Sequence, residues 1–286
     1  MPELPEVERA RAAIDAAGLG RRIADVDDTD TYECRPHLPG EIRQALLGRA
    51  LTAAHRRGKT MWCDTSGVGR ARTPGPILGL HLGMAGRIVI SPAGARGSSD
   101  ASDGLGASVE TVEGGDPRPR RALPGQTRWN RFTIFFADGG SLVLLDPRRL
   151  GRVRLEPAVH VLGPDALTIT VGQFRVAMAR GTAPVKARLL DQSAIAGVGN
   201  LLADEALWQA RIDPRRPVQS LTPDDVTRLH RAVRRAVAAA VRLGGAHTGD
   251  VIGHRRPGGR CPRCGTELQH GTVGGRSTWW CPLEQI

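Results

Sequence analysis

Residues 131–155 read RFTIFFADGGSLVLLDPRRLGRVRL, a pattern that few structures accommodate. Phe132, Ile134 and Phe136 alternate along one arm, Asp138-Gly139 marks a turn, and Leu142 and Leu144 alternate along the return. A period of two on both sides of an Asp-Gly pair predicts an antiparallel hairpin. ILGLHLGMAGRIVI at 77–90 is a second strand-like stretch. An antiparallel β-sandwich or barrel fits this half of the chain.

A short helix precedes the strands. Over residues 5–17, Val7, Ala10, Ile14 and Ala17 share one face and Gly18 follows the end. Pro5 suits a first helical turn, and Glu6 and Glu8 suit its positive end. Residues 91–126 are rich in Gly, Ser, Pro and Asp without periodicity, which predicts a flexible insertion with no folded element.

After about residue 160 the pattern turns helical. GQFRVAMAR, PVKARLLDQ and NLLADEALWQA predict three short helices. A longer one runs from an N-cap at Thr222, through Pro223, to Leu243, and Gly244-Gly245 closes it. Val226, Leu229, Val233, Val237 and Val241 form its apolar face, leaving Arg228, Arg231, Arg234, Arg235 and Arg242 elsewhere. The expected architecture is a multi-domain α+β chain: a β domain over 1–155, a helical domain over 156–247 and a small tail over 248–286.

With 286 residues the chain can build more than one core. Its 40 Lys+Arg against 29 Asp+Glu leave a formal charge of +11, which favours a polyanionic partner, nucleic acid above all. A solvated basic surface is the plain alternative. No apolar run approaches the roughly 18–20 residues needed to span a bilayer. The start, MPELPEVE, is acidic where a signal peptide is basic and apolar, so a cytoplasmic protein is expected, without membrane association.

The cysteines are Cys34, Cys63, Cys261, Cys264 and Cys281. Clustering of the last three reads as metal binding in a reducing compartment rather than as a disulfide framework. CPRC at 261–264 predicts one structural zinc on a hairpin ribbon, with Cys281 from a second knuckle. That knuckle reads CPLE, so Glu284 stands where a fourth thiolate would, and His270 is another candidate ligand. A metal-free hairpin packed on Val273, Trp279 and Trp280 is the alternative.

Four further stretches are candidates for chemistry, although taken singly a plain turn, a solvated lysine, a core methionine and a basic hairpin end account for them. AGVGN at 196–200 opens a helix: its glycines permit close backbone approach, Asn200 suits a cap, and exposed N–H groups there suit a phosphate. RRGKT places Lys59 at the start of a strand. HLGMAG (81–86) carries Met84 in a turn, and DPRRLG (146–151) carries two arginines and Leu150. Together they suggest one positive face with an apolar side chain or two that can enter between base steps.

MPELPEVE, HLGMAG, DPRRLG, GPDAL, VKARLLDQ, GVGN and the terminal CPRCG occur here in an order that resembles the formamidopyrimidine glycosylase/endonuclease VIII family, over almost the full length. PELPE resembles its formamidopyrimidine branch. The resemblance implies a β-sandwich domain with a leading helix, a helix–two-turn–helix domain and a zinc ribbon. It also implies a bifunctional base-excision enzyme, a monomer acting on damaged double-stranded DNA of the bacterial nucleoid. Such an enzyme extrudes a damaged base, removes it and cuts the strand by β,δ-elimination.

Carried over by position, Pro2 is the nucleophile once Met1 is removed, its amine attacking C1′ of the deoxyribose. Glu3 is the neighbouring acid/base, Glu6 a supporting carboxylate, and Lys59 a catalytic lysine at the phosphate flanking the lesion. Asn200 and Arg276 match phosphate contacts, and Lys186, in VKARLLDQ, is counted with the DNA-binding residues. Met84 and Arg148 match side chains that fill the space left by the flipped base, with Leu150 as intercalating wedge.

Three features depart from the pattern. Leu150 replaces a phenylalanine, the segment from Gly245 to Cys261 is shorter than the usual lesion-covering loop, and Glu284 replaces the last zinc cysteine. The first two weaken an expectation of 8-oxoguanine preference. They leave open a preference for oxidised pyrimidines, ring-opened purines or bulky adducts. A non-catalytic damage-binding homologue is the alternative outside enzymes.

Overall fold

The structure, a computed structural model, describes residues 2–68, 73–94, 111–115, 127–179 and 181–286. The chain divides into two compact units, one containing Pro2 and Glu6–Ala158, the other Glu3–Pro5 and Val159–Ile286. The tail expected as a third unit joins the helical unit instead, because Trp208 of the helices packs with Val251, Cys261, Leu268 and Cys281 in one small core.

The first unit is a sandwich of two antiparallel sheets. One has the order β1 (Ile23–Asp27), β7 (Asn130–Phe136), β8 (Ser141–Leu145), β5 (Arg87–Ser91), β6 (Val112–Gly115). The other has the order β2 (Leu51–Arg57), β3 (Thr60–Thr65), β4 (Leu78–His81), β9 (Arg152–Leu155). The predicted hairpin is β7–β8: Phe132, Ile134, Phe136, Leu142 and Leu144 are all buried, and Gly139 turns with φ 86°. Each such side chain contributes roughly 1.5–3 kcal/mol on burial. Val7, Ala10 and Ile14 of α1 (Leu4–Ala17) complete this core, as their helical spacing requires.

Both long strand-like stretches cross between sheets rather than staying in one. Residues 77–90 leave β4 and enter β5 in the other sheet through the turn at 82–86, and 131–155 pass from β8 to β9 through 146–151. β5 pairs with β8 and β4 with β9, so the two crossovers run side by side. Their backbones touch: a Cβ on Gly83, which has φ 56°, would lie 2.3 Å from the carbonyl carbon of Leu150.

The expectation that 91–126 holds no folded element needs correction. Val112–Gly115 forms β6, paired antiparallel with β5. A Cβ on Gly114 would lie 2.3 Å from the Ala10 Cα, so glycine lets this strand pass directly against α1. VEGG shows no alternation and carries two strand-weakening glycines, which hid it. Residues 95–110 and 116–126 of that stretch lie outside the described residues. α2 (Glu41–Leu46), β1, β2 and β6 had no clear sequence signal, being short or lacking one-sided apolar patterns.

The second unit contains α3 (Val171–Met178), α4 (Val185–Leu190), α5 (Asn200–Ala210) and α6 (Pro223–Leu243) around one core, with the hairpin β10 (Gln269–Val273)–β11 (Arg276–Trp280). Thr222 caps α6 through a capping box with Asp225, and Gly244 ends it at φ 91°. Leu229, Val233 and Val237 are buried, with Val226 and Val241 packed at the margin. Among the described residues no helix is long and apolar enough to cross a membrane.

Candidate catalytic terminus and nucleic-acid interface

In the second unit, Glu3 is anchored at the start of α5. Its carboxylate accepts hydrogen bonds from the backbone N–H of Leu201 at 2.7 Å, Gly199 at 3.0 Å and Leu202 at 3.1 Å. Those are the donors a helix start leaves unsatisfied, and the positive end of the helix adds to the attraction for an anion. Glu3 is 1 % exposed. The Leu4 N–H donates to the Gly197 carbonyl at 3.3 Å, fixing the following residue as well. Asn200, expected to cap α5, makes no cap: the N-cap is Gly199, and the capping carboxylate arrives from residue 3. A Cβ on Gly199 would lie 2.2 Å from the Glu3 carboxyl carbon, so only glycine leaves room.

The Asn200 side chain turns to the hairpin, its Nδ2 donating to the Ser277 carbonyl at 3.0 Å. Lys186 Nζ, at 3.2 Å, and Arg255 Nη2, at 3.2 Å, donate to the same carbonyl. Ser277 follows Arg276, whose side chain is exposed at the start of β11. Lys186 itself requires a correction. It is fully buried, 2.6 Å from Asp204 Oδ1 and 2.7 Å from the Thr278 hydroxyl, and out of reach of a phosphate. Arg255 Nε holds the other Asp204 oxygen at 2.8 Å. Burial pulls the Lys186 ammonium below its usual range and pushes the Asp204 carboxyl up, against their mutual attraction. This network ties β11 to α4 and α5. Neither Asp204 nor Arg255 stood out in sequence, because each lies in an ordinary polar context and only the fold pairs them.

In the first unit, Pro2 is buried and Glu6 is 3 % exposed. Lys59 lies in the turn between β2 and β3, just before the strand predicted to hold it. Its neighbour across the sheet edge, His81, is held below the usual imidazole range by burial and by the charges of Lys59, Arg152 and Arg154. His81 Nδ1 accepts the Gly83 N–H at 3.0 Å, supporting the turn that presents Met84, 38 % exposed.

The 146–151 turn is organised by Asp146, which is fully buried. Oδ1 accepts the Arg148 N–H at 2.9 Å, and Oδ2 accepts Leu150 N–H at 2.9 Å and Gly151 N–H at 2.8 Å. Arg148 is thereby exposed and Leu150 half-buried at the tip, beside the Met84 turn. The structure thus brings Met84, Arg148 and Leu150 together.

In the tail, Cys261, Cys264 and Cys281 place their sulfurs within 4.8 Å of one another. Trp208 Nε1 donates to Cys261 Sγ at 3.3 Å, a contact suited to a thiolate. Three soft sulfurs at this spacing fit a zinc ion. The structure does not bring Glu284 to them. Its Oε2 lies 3.2 Å from Arg263 Nη1 and 3.3 Å from Arg211 Nε, because those guanidiniums offer the acidic side chain full charge pairing. His270 also turns elsewhere, stacking on Trp279 and bonding the Ser277 hydroxyl at 3.0 Å.

Comparison with known proteins bears on both units. Residues 1–153 match the model of the formamidopyrimidine-DNA glycosylase N-terminal domain, and residues 162–251 match that of the formamidopyrimidine-DNA glycosylase H2TH domain. A formamidopyrimidine-DNA glycosylase of Thermus thermophilus is 33 % identical, over 100 % of this chain and 98 % of its own length. One of Arabidopsis thaliana is 31 % identical over 99 % of this chain and 70 % of its own. Among solved structures, Lactococcus lactis Fpg with an abasic-site DNA superposes with TM-score 0.74 at 26 % identity, covering 99 % of both chains. The same protein with a DNA containing an oxidised pyrimidine gives 0.75 at 27 %, again over 99 % of both.

Proposed function

The chain belongs to the formamidopyrimidine-DNA glycosylase family, and from that premise we propose how its own residues carry out base excision on damaged DNA. The protein is a DNA glycosylase of base-excision repair, with the lyase activity that accompanies it in the family. Pro2, freed by removal of Met1, supplies a secondary amine. An α-amine has a pKa of about 7.7–8.0, so a useful fraction is neutral near pH 7. Its attack on C1′ of the lesion sugar displaces the base, the amine loses its proton, and cleavage of C1′–O4′ with protonation of O4′ opens the ring to an iminium, an electron sink that acidifies the C2′ hydrogen for elimination.

The observation that carries this reading is the anchorage of Glu3. A carboxylate held by three backbone N–H groups is fixed next to the nucleophile in sequence, poised to move a proton as the sugar ring opens. Glu6 supports the terminus from the next turn of α1, and Lys59 and Arg276 bind phosphates at the lesion. Asn200, one hydrogen bond from the hairpin, contacts a phosphate as well. Met84, Arg148 and Leu150 fill the gap left by the extruded nucleotide, offsetting the few kcal/mol lost in unstacking.

Cys261, Cys264 and Cys281 would hold a zinc ion, which would stabilise the hairpin that presents Arg276. Glu284 is held by Arg211 and Arg263, so a ligand other than Glu284 would complete the set. The protein works as a monomer on nucleoid DNA in the cytoplasm.

A specific observation favours lesions other than 8-oxoguanine. The short 245–261 segment is tied down rather than free: the Val251 N–H donates to Glu205 at 3.0 Å, and Arg255 pairs with Asp204. Such a segment is poorly suited to fold over a flipped purine, and the Leu150 wedge is small. The smaller oxidised pyrimidines suit this site better than 8-oxoguanine.

The decisive experiment is borohydride trapping on an abasic-site duplex, followed by mapping of the adduct. A covalent product at Pro2 is expected from the mature protein, and none from protein that retains Met1 or an N-terminal tag. An adduct at any lysine instead would overturn the assignment. A panel of 8-oxoguanine, formamidopyrimidine and thymine-glycol duplexes ranks the lesions.

A further inference from the structure

Glu33 is a buried acid with no role in the chemistry above. It is 0 % exposed, and neither carboxyl oxygen has a hydrogen-bond partner among the described residues. Its carboxyl presses on the end of the turn that carries Arg148 and Leu150: a Cβ on Gly151 would lie 2.6 Å from Glu33 Oε2. The Gly151 N–H donates to Asp146 at 2.8 Å, so the two acids grip the same residue. Two carboxylates facing each other in a buried site offer only acceptors and repel. A proton supplies the missing donor.

The surroundings settle which acid takes it. Asp146 already accepts three backbone N–H bonds, from Arg148, Leu150 and Gly151, so its oxygens have donors where those of Glu33 have none. Asp30 is ionised. Burial opposes its charge most strongly, but bonds from Arg149 and from the Glu33 and Tyr32 N–H groups outweigh that and hold its carboxyl below the usual range. Arg149 Nη2 reaches Asp30 at 2.8 Å and Arg131 Nη1 at 3.7 Å, while Arg131 Nε donates to the Asp146 carbonyl at 2.8 Å. Both cations are thus engaged by Asp30. Cys34, on the same segment, is a buried neutral thiol, and His81, whose carbonyl faces Gly151 from β4, is held neutral. Glu33 has no donor of its own, and the charge of Arg131 offsets its burial only in part. Burial first, then the charge of Asp146, raises its pKa to about 8.

We propose that Glu33 is a positioning residue for the base-flipping wedge: as a neutral acid donating to Asp146, it holds the Arg148–Leu150 turn in the conformation that enters DNA. The proposal rests on the wedge reading of Arg148 and Leu150. Loss of the Glu33 proton sets two charges against each other beneath the turn, and the turn loosens.

Amide hydrogen exchange of the full-length protein without DNA tests the positioning directly. After correction for base catalysis, the Arg148, Leu150 and Gly151 amides should lose protection about tenfold or more between about pH 6.5 and about pH 9. Glu33→Gln, neutral at every pH, should keep it. The wild-type infrared spectrum should show a protonated carboxyl at neutral pH that Glu33→Gln lacks. Unchanged wild-type protection across that range, or an identical loss in Glu33→Gln, would overturn the proposal. With a tetrahydrofuran abasic analogue opposite 2-aminopurine, fluorescence should follow the same pH course in wild type only. If Leu150→Ala leaves that fluorescence unchanged, the wedge reading fails, while the amide data still decide the role of Glu33.

Discussion

Gly199 shows how one residue can decide whether the terminus works. Its hydrogen occupies the space that a methyl would need, 2.2 Å from the Glu3 carboxyl carbon, and Glu3 cannot retreat without giving up three N–H bonds. Gly199→Ala should cost about 2–4 kcal/mol in urea unfolding and lower borohydride trapping in parallel, since a charge-assisted hydrogen bond contributes about 1.5–3 kcal/mol. Trapping at the wild-type level would show that Glu3 works without this anchorage. Glu33 makes a second prediction, with a sign opposite to that of most carboxylates. An unfolded glutamate releases its proton near pH 4.3, whereas the folded protein holds it to about 8. The folded state therefore binds more protons in that window, and stability falls as pH rises through it, levelling off above. Glu33→Gln removes this dependence, so its Tm should gain on wild type between about pH 5 and about pH 8 in scanning calorimetry. Gly199 was legible in sequence as part of GVGN, one of the motifs that carry the resemblance, but Glu33 carried no signal, because a single acid in TYECRP looks like surface.

Among the elements, the two crossovers and the hairpin tail matter most. The chain enters β5 from β4 and leaves β8 for β9, and β5 pairs with β8 as β4 does with β9, so HLGMAG and DPRRLG emerge together. Their turn character was legible as Gly and Pro punctuation, and their adjacency was not, because it depends on pairing between strands more than fifty residues apart. The tail behaves similarly. CPRC and Cys281 were readable as a ligand set from spacing, while the fate of Glu284 hung on Arg211 and Arg263, brought to it by the fold. Glu284→Gln should leave zinc content and the visible spectrum of the cobalt-substituted protein unchanged, at a stability cost of about 1 kcal/mol or less for such part-exposed pairs. Glu284→Cys should slow metal loss to a chelator. A cobalt spectrum altered by Glu284→Gln would make Glu284 a ligand after all.

For the whole molecule, charge governs the encounter with DNA. A formal +11 predicts affinity that falls steeply with salt through counterion release, and Arg276→Ala should reduce the slope of log K against log salt by about 0.9. An unchanged slope in filter binding would remove Arg276 from the phosphate contacts. Local pattern alone determined the leading helix, the β7–β8 hairpin, the capped helix α6 and the thiol cluster, because each depends on residues close enough in the chain for periodicity, caps or spacing to reveal them. The tertiary structure decided that Glu3 rather than Asn200 caps α5, that Lys186 is buried against Asp204, that VEGG is a strand and that Glu33 meets Asp146. Each of these joins residues far apart in the chain, where hydrogen-bond satisfaction and the cost of burying charge choose the partner, and neither is written in a local pattern.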